Sequence, residues 1–179
     1  MTNLGLGKVL GLDLSSTVGF CWGRPGDVPR WGARILPKQD GPGAVCAALE
    51  DWLDEFLAVE KPDVIGYEAP LPPMLQGDRE ACIYAYGLTF AAEACAWRAG
   101  IPCRAHSLDT LRGAVIGRTR LTDEEKAIRP RVSVKNAIIA PWVRSQGWDI
   151  TDPDSRDAAV VWAYICGIRH AEFRKRRAA

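Results

Sequence analysis

Two short apolar runs in this sequence end abruptly in an acid, GLDL at Asp13 and IGYEAP at Glu68. An apolar run of that length bounded by turn residues reads as a buried strand, so each acid is delivered to the rim of a sheet, where a cleft can form. A carboxylate there is costly to bury unless a cation neutralises it. A third segment, DSRDAAVVWAY, sets Asp154 and Asp157 three positions apart on a helix and therefore on one face. For clustered acids without matching basic neighbours, a divalent metal is the economical partner. Oxygen ligands suit Mg²⁺ or Mn²⁺, which keep waters and accept phosphate oxygens. Two such ions roughly 3.5–4 Å apart are the recurring arrangement for phosphodiester cleavage, one activating the attacking water and the other stabilising the leaving 3′ oxygen. Taken singly, each acid has a plainer reading. Asp13 could close a turn, Glu68 could pair with an arginine, and Asp154 and Asp157 could be first-turn acids favoured by a helix dipole. The joint order and context favour the metal site.

The elements that must position these acids follow from periodicity and breakers. Lys8 to Leu14 and Val18 to Trp22, joined by Ser15-Ser16-Thr17, read as a hairpin, and Trp31 to Leu36 alternates as a third strand. Ala44 to Val59 has helical apolar spacing and stops before Lys61-Pro62. Val64 to Tyr67 is a buried strand that delivers Glu68, and the Pro-rich stretch 69–78 is a loop. A helix from about Arg79 to Arg98, closed by Gly100, leads to a fifth strand, Pro102 to His106. Leu108 to Val115 and Val132 to Val143 read as helices, with a charged, Gly- and Thr-containing stretch between them. Asp152 is placed to cap a last helix that has Pro153 at its first position and runs from Asp154 to Phe173. This is an α/β pattern: a five-stranded mixed sheet with helices on both faces.

At 179 residues and 47% apolar, the chain suits a single domain spanning 1–179. The net charge of +1 excludes a histone-like polycation and leaves nucleic-acid binding to local patches. The six cysteines show no zinc-ligand spacing and read as small buried hydrophobes in a reducing cytoplasm. No stretch approaches the roughly 20 apolar residues that span a bilayer, so a cytoplasmic protein without membrane association is expected.

The three acidic segments, GLDLSSTVGF, IGYEAP and DSRDAAVVWAY, resemble in order and spacing the motifs of RuvC-type Holliday junction resolvases, in the compact versions of phages and bacterial genomes. The resemblance covers nearly the whole chain. It implies an RNase H-like fold with strand order 3-2-1-4-5, and Asp13, Glu68, Asp154 and Asp157 as metal ligands and catalytic acids. Gly19 would match the small residue of the first hairpin. It also implies a homodimer that uses Mg²⁺, with Mn²⁺ as substitute, and cuts two strands symmetrically across a four-way junction, leaving 5′ phosphates. Lys135, in RVSVKNAII, matches the family's basic residue near the scissile phosphate. The family often has an aromatic after the second acid; here the loop reads APLPPMLQ, so Leu71 or Met74 would serve as an apolar wedge.

Arg98 to Lys135 holds nine basic residues against four acids. Arg112, Arg118, Arg120 and Arg131, with Lys135, are the candidate phosphate contacts, and Ser15, beside Asp13, is another. The stripe Ile83, Tyr84, Leu88, Ala91, Ala92 and Cys95 reads first as core and second as a dimer face. Two other readings compete. DLSSTVGF also resembles the phosphate hairpin of actin-like and sugar-kinase ATPases, but those need two such domains and a Gly-rich adenosine site. A non-catalytic nucleic-acid module, or a nuclease for forks, flaps or RNA–DNA hybrids, would share the same acids.

Overall fold

The computed structural model describes residues 7–76, 78–123 and 135–178. Its centre is β1 (Val9–Asp13), buried along its whole length. The turn Ser15–Thr17 sends the chain back as β2 (Thr17–Gly23), antiparallel to β1 with Asp13 opposite Gly19. β3 (Arg30–Ile35) pairs antiparallel with β2. β4 (Val64–Glu68) lies parallel to β1, with Leu12 opposite Tyr67, and β5 (Cys103–His106) lies parallel to β4, with Glu68 opposite His106. The order β3-β2-β1-β4-β5 is the expected one.

Alternation along the strands sorts the side chains into two cores. Leu10, Leu12, Ile65 and Tyr67 face α1 (Gly41–Glu60) and α2 (Arg79–Arg98). On α1 the buried positions Val45, Leu49, Leu53 and Leu57 recur every four residues, one stripe of the helix. Lys61 stops α1 in the left-handed conformation at φ 49°, and Pro62 forbids continuation. Asp78 caps α2 by accepting from Ala81 N–H at 2.7 Å, and Gly100, at φ 67°, turns the chain out of it.

Val9 and Cys21 face the other layer, built by α3 (Leu108–Ile116), α4 (Ala140–Ser145) and α5 (Pro153–Ala178). α5 crosses β1 so closely that a Cβ on Gly11 would stand 2.5 Å from Ala158 O and 2.6 Å from Trp162 N. Only glycine allows that approach. Asp152 caps α5 as expected, accepting from Ser155 N–H at 2.6 Å, with Pro153 as the first helical residue.

One element departs from the sequence reading. The helix expected over 132–143 begins, among the described residues, as a π-turn, Lys135–Ile139, before α4. Pro141 explains it. Proline has no N–H to give the carbonyl four residues back, and its ring crowds that carbonyl, so the preceding turn widens. Residues 132–134 lie outside the described residues.

Candidate active site

The sheet brings Asp13 and Glu68 to one end by register alone. They are the last residues of two adjacent parallel strands whose preceding residues, Leu12 and Tyr67, are paired. Alternation puts both on the α5 side, since their i−2 neighbours Gly11 and Gly66 lie under α5: a Cβ on Gly66 would overlap Ile165. The start of α5 closes the corner. Gly19, opposite Asp13, has the backbone of Asp154 and Ser155 directly above it, and a Cβ there would overlap the Asp154 carbonyl. Asp157 precedes Ala158, whose carbonyl lies over Gly11. Three distant parts of the chain therefore meet at the carboxyl edge of the central strands, each brought close by a glycine. Asp13 is 9% exposed and Asp157 2%.

Asp157 has a cationic neighbour inside the protein: Arg112 Nη2, on α3, stands 4.0 Å from its Oδ1, and both side chains are buried. Arg112 is thus not on an exposed basic surface, as its inclusion among the phosphate contacts supposed. The reason is helical spacing: Arg112 falls four residues after Leu108 and four before Ile116, on the face that packs inward. Ser155, also fully buried, carries a hydroxyl with no hydrogen-bond partner among the described residues.

Sequence reasoning missed His106. It ends β5 opposite Glu68, half-buried, and its ring packs edge-on to Tyr164 at 5.0 Å. Burial, and after it Arg104, holds its pKa below the ordinary value, which favours the neutral imidazole. The signal was present in the sequence: the residue closes a strand at the same sheet edge as the two acids.

The remaining candidates separate. Ser15 spends its hydroxyl on its own turn, donating to Thr17 O at 2.8 Å and accepting from Thr17 N–H at 3.2 Å. Arg120 is exposed and Arg118 half-buried beyond α3. Arg131 and the side chain of Lys135 lie outside the described residues; the backbone of Lys135 opens the π-turn. Leu71 and Met74 are 47% and 86% exposed on the loop after Glu68. Arg98, counted in the basic stretch, belongs elsewhere: it pairs with Glu50 and Asp54 of α1 at the opposite end of the sheet.

The four candidate carboxylates offer oxygen donors, which fit a hard divalent cation. Among the described residues no three His, Cys, Asp or Glu side chains stand together as a ready ligand cage. A Mg²⁺-type ion does not require one, since it is commonly held by one or two carboxylates, waters and the phosphate of its substrate. Among the described residues no helix is long and apolar enough to cross a membrane.

Comparison with known proteins places the architecture. No protein-family model matches the sequence, and no curated protein matches it. The fold is that of solved RuvC structures. The Thermus thermophilus RuvC structure aligns with a TM-score of 0.63 at 17% identity, over 92% of this chain and 95% of that one. T. thermophilus RuvC in complex with Holliday junction substrate aligns at 0.65 and 16%, over 92% and 94%. The yeast mitochondrial Holliday junction resolvase aligns at 0.59 and 13%, over 95% and 81%.

Proposed function

We propose that this chain is a metal-dependent endonuclease that nicks branched DNA, four-way junctions above all, by phosphodiester hydrolysis leaving 5′-phosphate ends. One observation supports the reading: the chain segments that carry these acids, the ends of β1 and β4 and the first turns of α5, meet at one sheet edge although Asp13 and Asp154 are 141 positions apart in sequence. The shared fold with proteins described as a RuvC–junction complex and a junction resolvase supports the choice of substrate.

In this reading Asp13, Glu68, Asp154 and Asp157 would hold Mg²⁺, or Mn²⁺ in its place, at two ions per site. Bound ions of this kind activate water and offset charge on the leaving oxygen. The protein's own groups do the rest. The strand ends set Asp13 and Glu68 side by side at the sheet edge, α5 covers one side, and Arg112 balances the buried Asp157 charge. Arg118, Arg120, Arg131 and Lys135 would grip phosphates without reading sequence. Leu71 and Met74 would lean on the bases at the branch point. A homodimer would present two such sites to the two strands of a junction.

The deciding experiment is cleavage of a panel of junction, fork, flap, RNA–DNA hybrid and linear duplex substrates with Mg²⁺, alongside Asp13→Asn. Preferential, EDTA-sensitive nicking of the junction supports the proposal. Equal rates on linear duplex remove the structural selectivity, and binding without turnover by wild type and Asp13→Asn alike identifies a non-catalytic module.

A further inference from the structure

The loop that follows Glu68 presents apolar side chains to water: Leu71, Met74 and Leu75 are 47%, 86% and 63% exposed. In a slack loop such side chains would fold onto the surface behind them. Here the backbone is held. Pro70, Pro72 and Pro73 fix their own φ angles, and Leu75 N–H donates to Pro72 O at 2.8 Å, closing a single 3₁₀ turn over Pro73–Leu75. The Leu71 carbonyl is the hub: it accepts from Gln76 Nε2 at 2.8 Å and from the Tyr86 hydroxyl of α2 at 3.2 Å. Cys82 Sγ–H adds a longer bond to Pro73 O, 3.7 Å. The loop is therefore tied at its start by Tyr86 and across its width by Gln76.

We propose that Tyr86 and Gln76 are positioning residues that hold this loop, through the Leu71 carbonyl, as a pre-formed apolar wedge for unstacked bases at a DNA branch. The inference rests on the branched-DNA reading above. Leu71 follows Glu68 by three residues, so the wedge begins within about 10 Å of chain from the candidate site. Inserting apolar side chains between base steps costs unstacking energy. A wedge already ordered in the free protein adds little ordering entropy to that cost, whereas a loose one would add more. Selectivity for branched over linear DNA should then depend on two polar side chains that need not touch DNA themselves.

The test places 2-aminopurine at the crossover of a four-way junction and reads its fluorescence on binding, with Ca²⁺ replacing Mg²⁺. Tyr86→Phe combined with Gln76→Ala should cut the fluorescence rise, and the junction-over-linear ratio of kcat/KM under Mg²⁺, roughly fivefold or more, the weight of one ordinary hydrogen bond or two. Unchanged kcat at saturating junction and an unchanged melting temperature would separate positioning from general damage. The triple variant Leu71→Ala, Met74→Ala, Leu75→Ala should lose both signals. If the triple variant loses them and the Tyr86/Gln76 variant keeps them, the positioning role is overturned while the wedge stands. If the triple variant keeps them as well, there is no wedge and the proposal falls; cleavage of the junction by that variant would still leave the nuclease reading intact.

Discussion

Arg112 and Asp157 face each other at 4.0 Å with side chains 7% and 2% exposed, a buried pair beneath the start of α5. Removing one partner of such a pair weakens the compensation of a charge held in a poor solvent for it, at a cost of up to about 3–5 kcal/mol. Arg112→Met should therefore lower the melting temperature sharply in EDTA. If a divalent ion also shares Asp157, millimolar Mg²⁺ should restore more stability to the variant than it adds to wild type, because binding to the folded state stabilises by mass action. Thermal melts of both proteins with and without Mg²⁺ check this; equal Mg²⁺ responses would take Asp157 out of the metal site.

Asp13→Asn should abolish cutting yet preserve folding and DNA binding. The change removes a ligand charge and, in the same stroke, a repulsion between that carboxylate and phosphate, so binding should hold or tighten. Single-turnover cleavage beside a gel-shift titration reads the two effects separately. Residual cleavage at the wild-type rate would exclude Asp13 from the chemistry.

Gly19 and Gly43 make a matched pair. A methyl on Gly19 would overlap the Asp154 carbonyl, so α5 must move off the end of β1, at about 1–3 kcal/mol and with displacement of two candidate ligands. Gly43 lies in α1 with nothing within 4 Å of its would-be Cβ. There alanine should stabilise by about 0.4–1 kcal/mol, chiefly by restricting the unfolded chain. Gly19→Ala should lose both stability and junction cleavage, and Gly43→Ala should lose neither. Full activity in Gly19→Ala would mean that the close seating of α5 is dispensable.

The buried thiols should be inert. Burial pushes Cys95 and Cys103 up to about 12, and raises Cys21 and Cys166 as well. Only the thiolate reacts, so at pH 8 these four should resist a disulfide reagent in the native protein. Labelling should begin at Cys82 and run slower at Cys46, whose thiol burial and then Glu50 also raise, until denaturant exposes all six. Rapid native modification of Cys21 or Cys166 would show that the α5 layer opens readily.

Much of this was legible in the sequence, for identifiable reasons. The strands and the two-sided sheet follow from short apolar runs, one alternating segment and their breakers, and the α5 cap from Asp152-Pro153, because these signals are local. The two acids at strand ends were legible because strand termini set a side chain's place on the sheet edge. Arg112 was misplaced because its charge was weighed without its helical neighbours Leu108 and Ile116. The pairing of Glu68 with His106 is a matter of register between strands 38 residues apart, which no local pattern encodes. The π-turn at Lys135 needed the consequence of Pro141 to be followed backward along the chain rather than forward.

The outer face of α2 bears on assembly. Leu88, Ala91, Ala92 and Cys95 are core against α1, as first read, but Ile83 is not: it is 44% exposed and aligns with Phe90 and Trp97, 64% and 85% exposed, at seven-residue spacing. Three large apolar side chains along one outward stripe are a face that a second subunit would cover in the proposed homodimer. A two-fold axis through Phe90 would set it against Phe90 of the partner subunit and bring Ile83 to Trp97 of the partner subunit, so the stripe is self-complementary. Phe90→Arg with Trp97→Arg should therefore yield a monomer by analytical ultracentrifugation, while Ile35→Arg, at a position 79% exposed on the edge strand β3, should leave the assembly unchanged. Wild-type protein that sediments as a monomer at micromolar concentration would overturn the homodimer. Paired nicking of a junction would then require two independent encounters, with a rate that rises with enzyme concentration after the first cut.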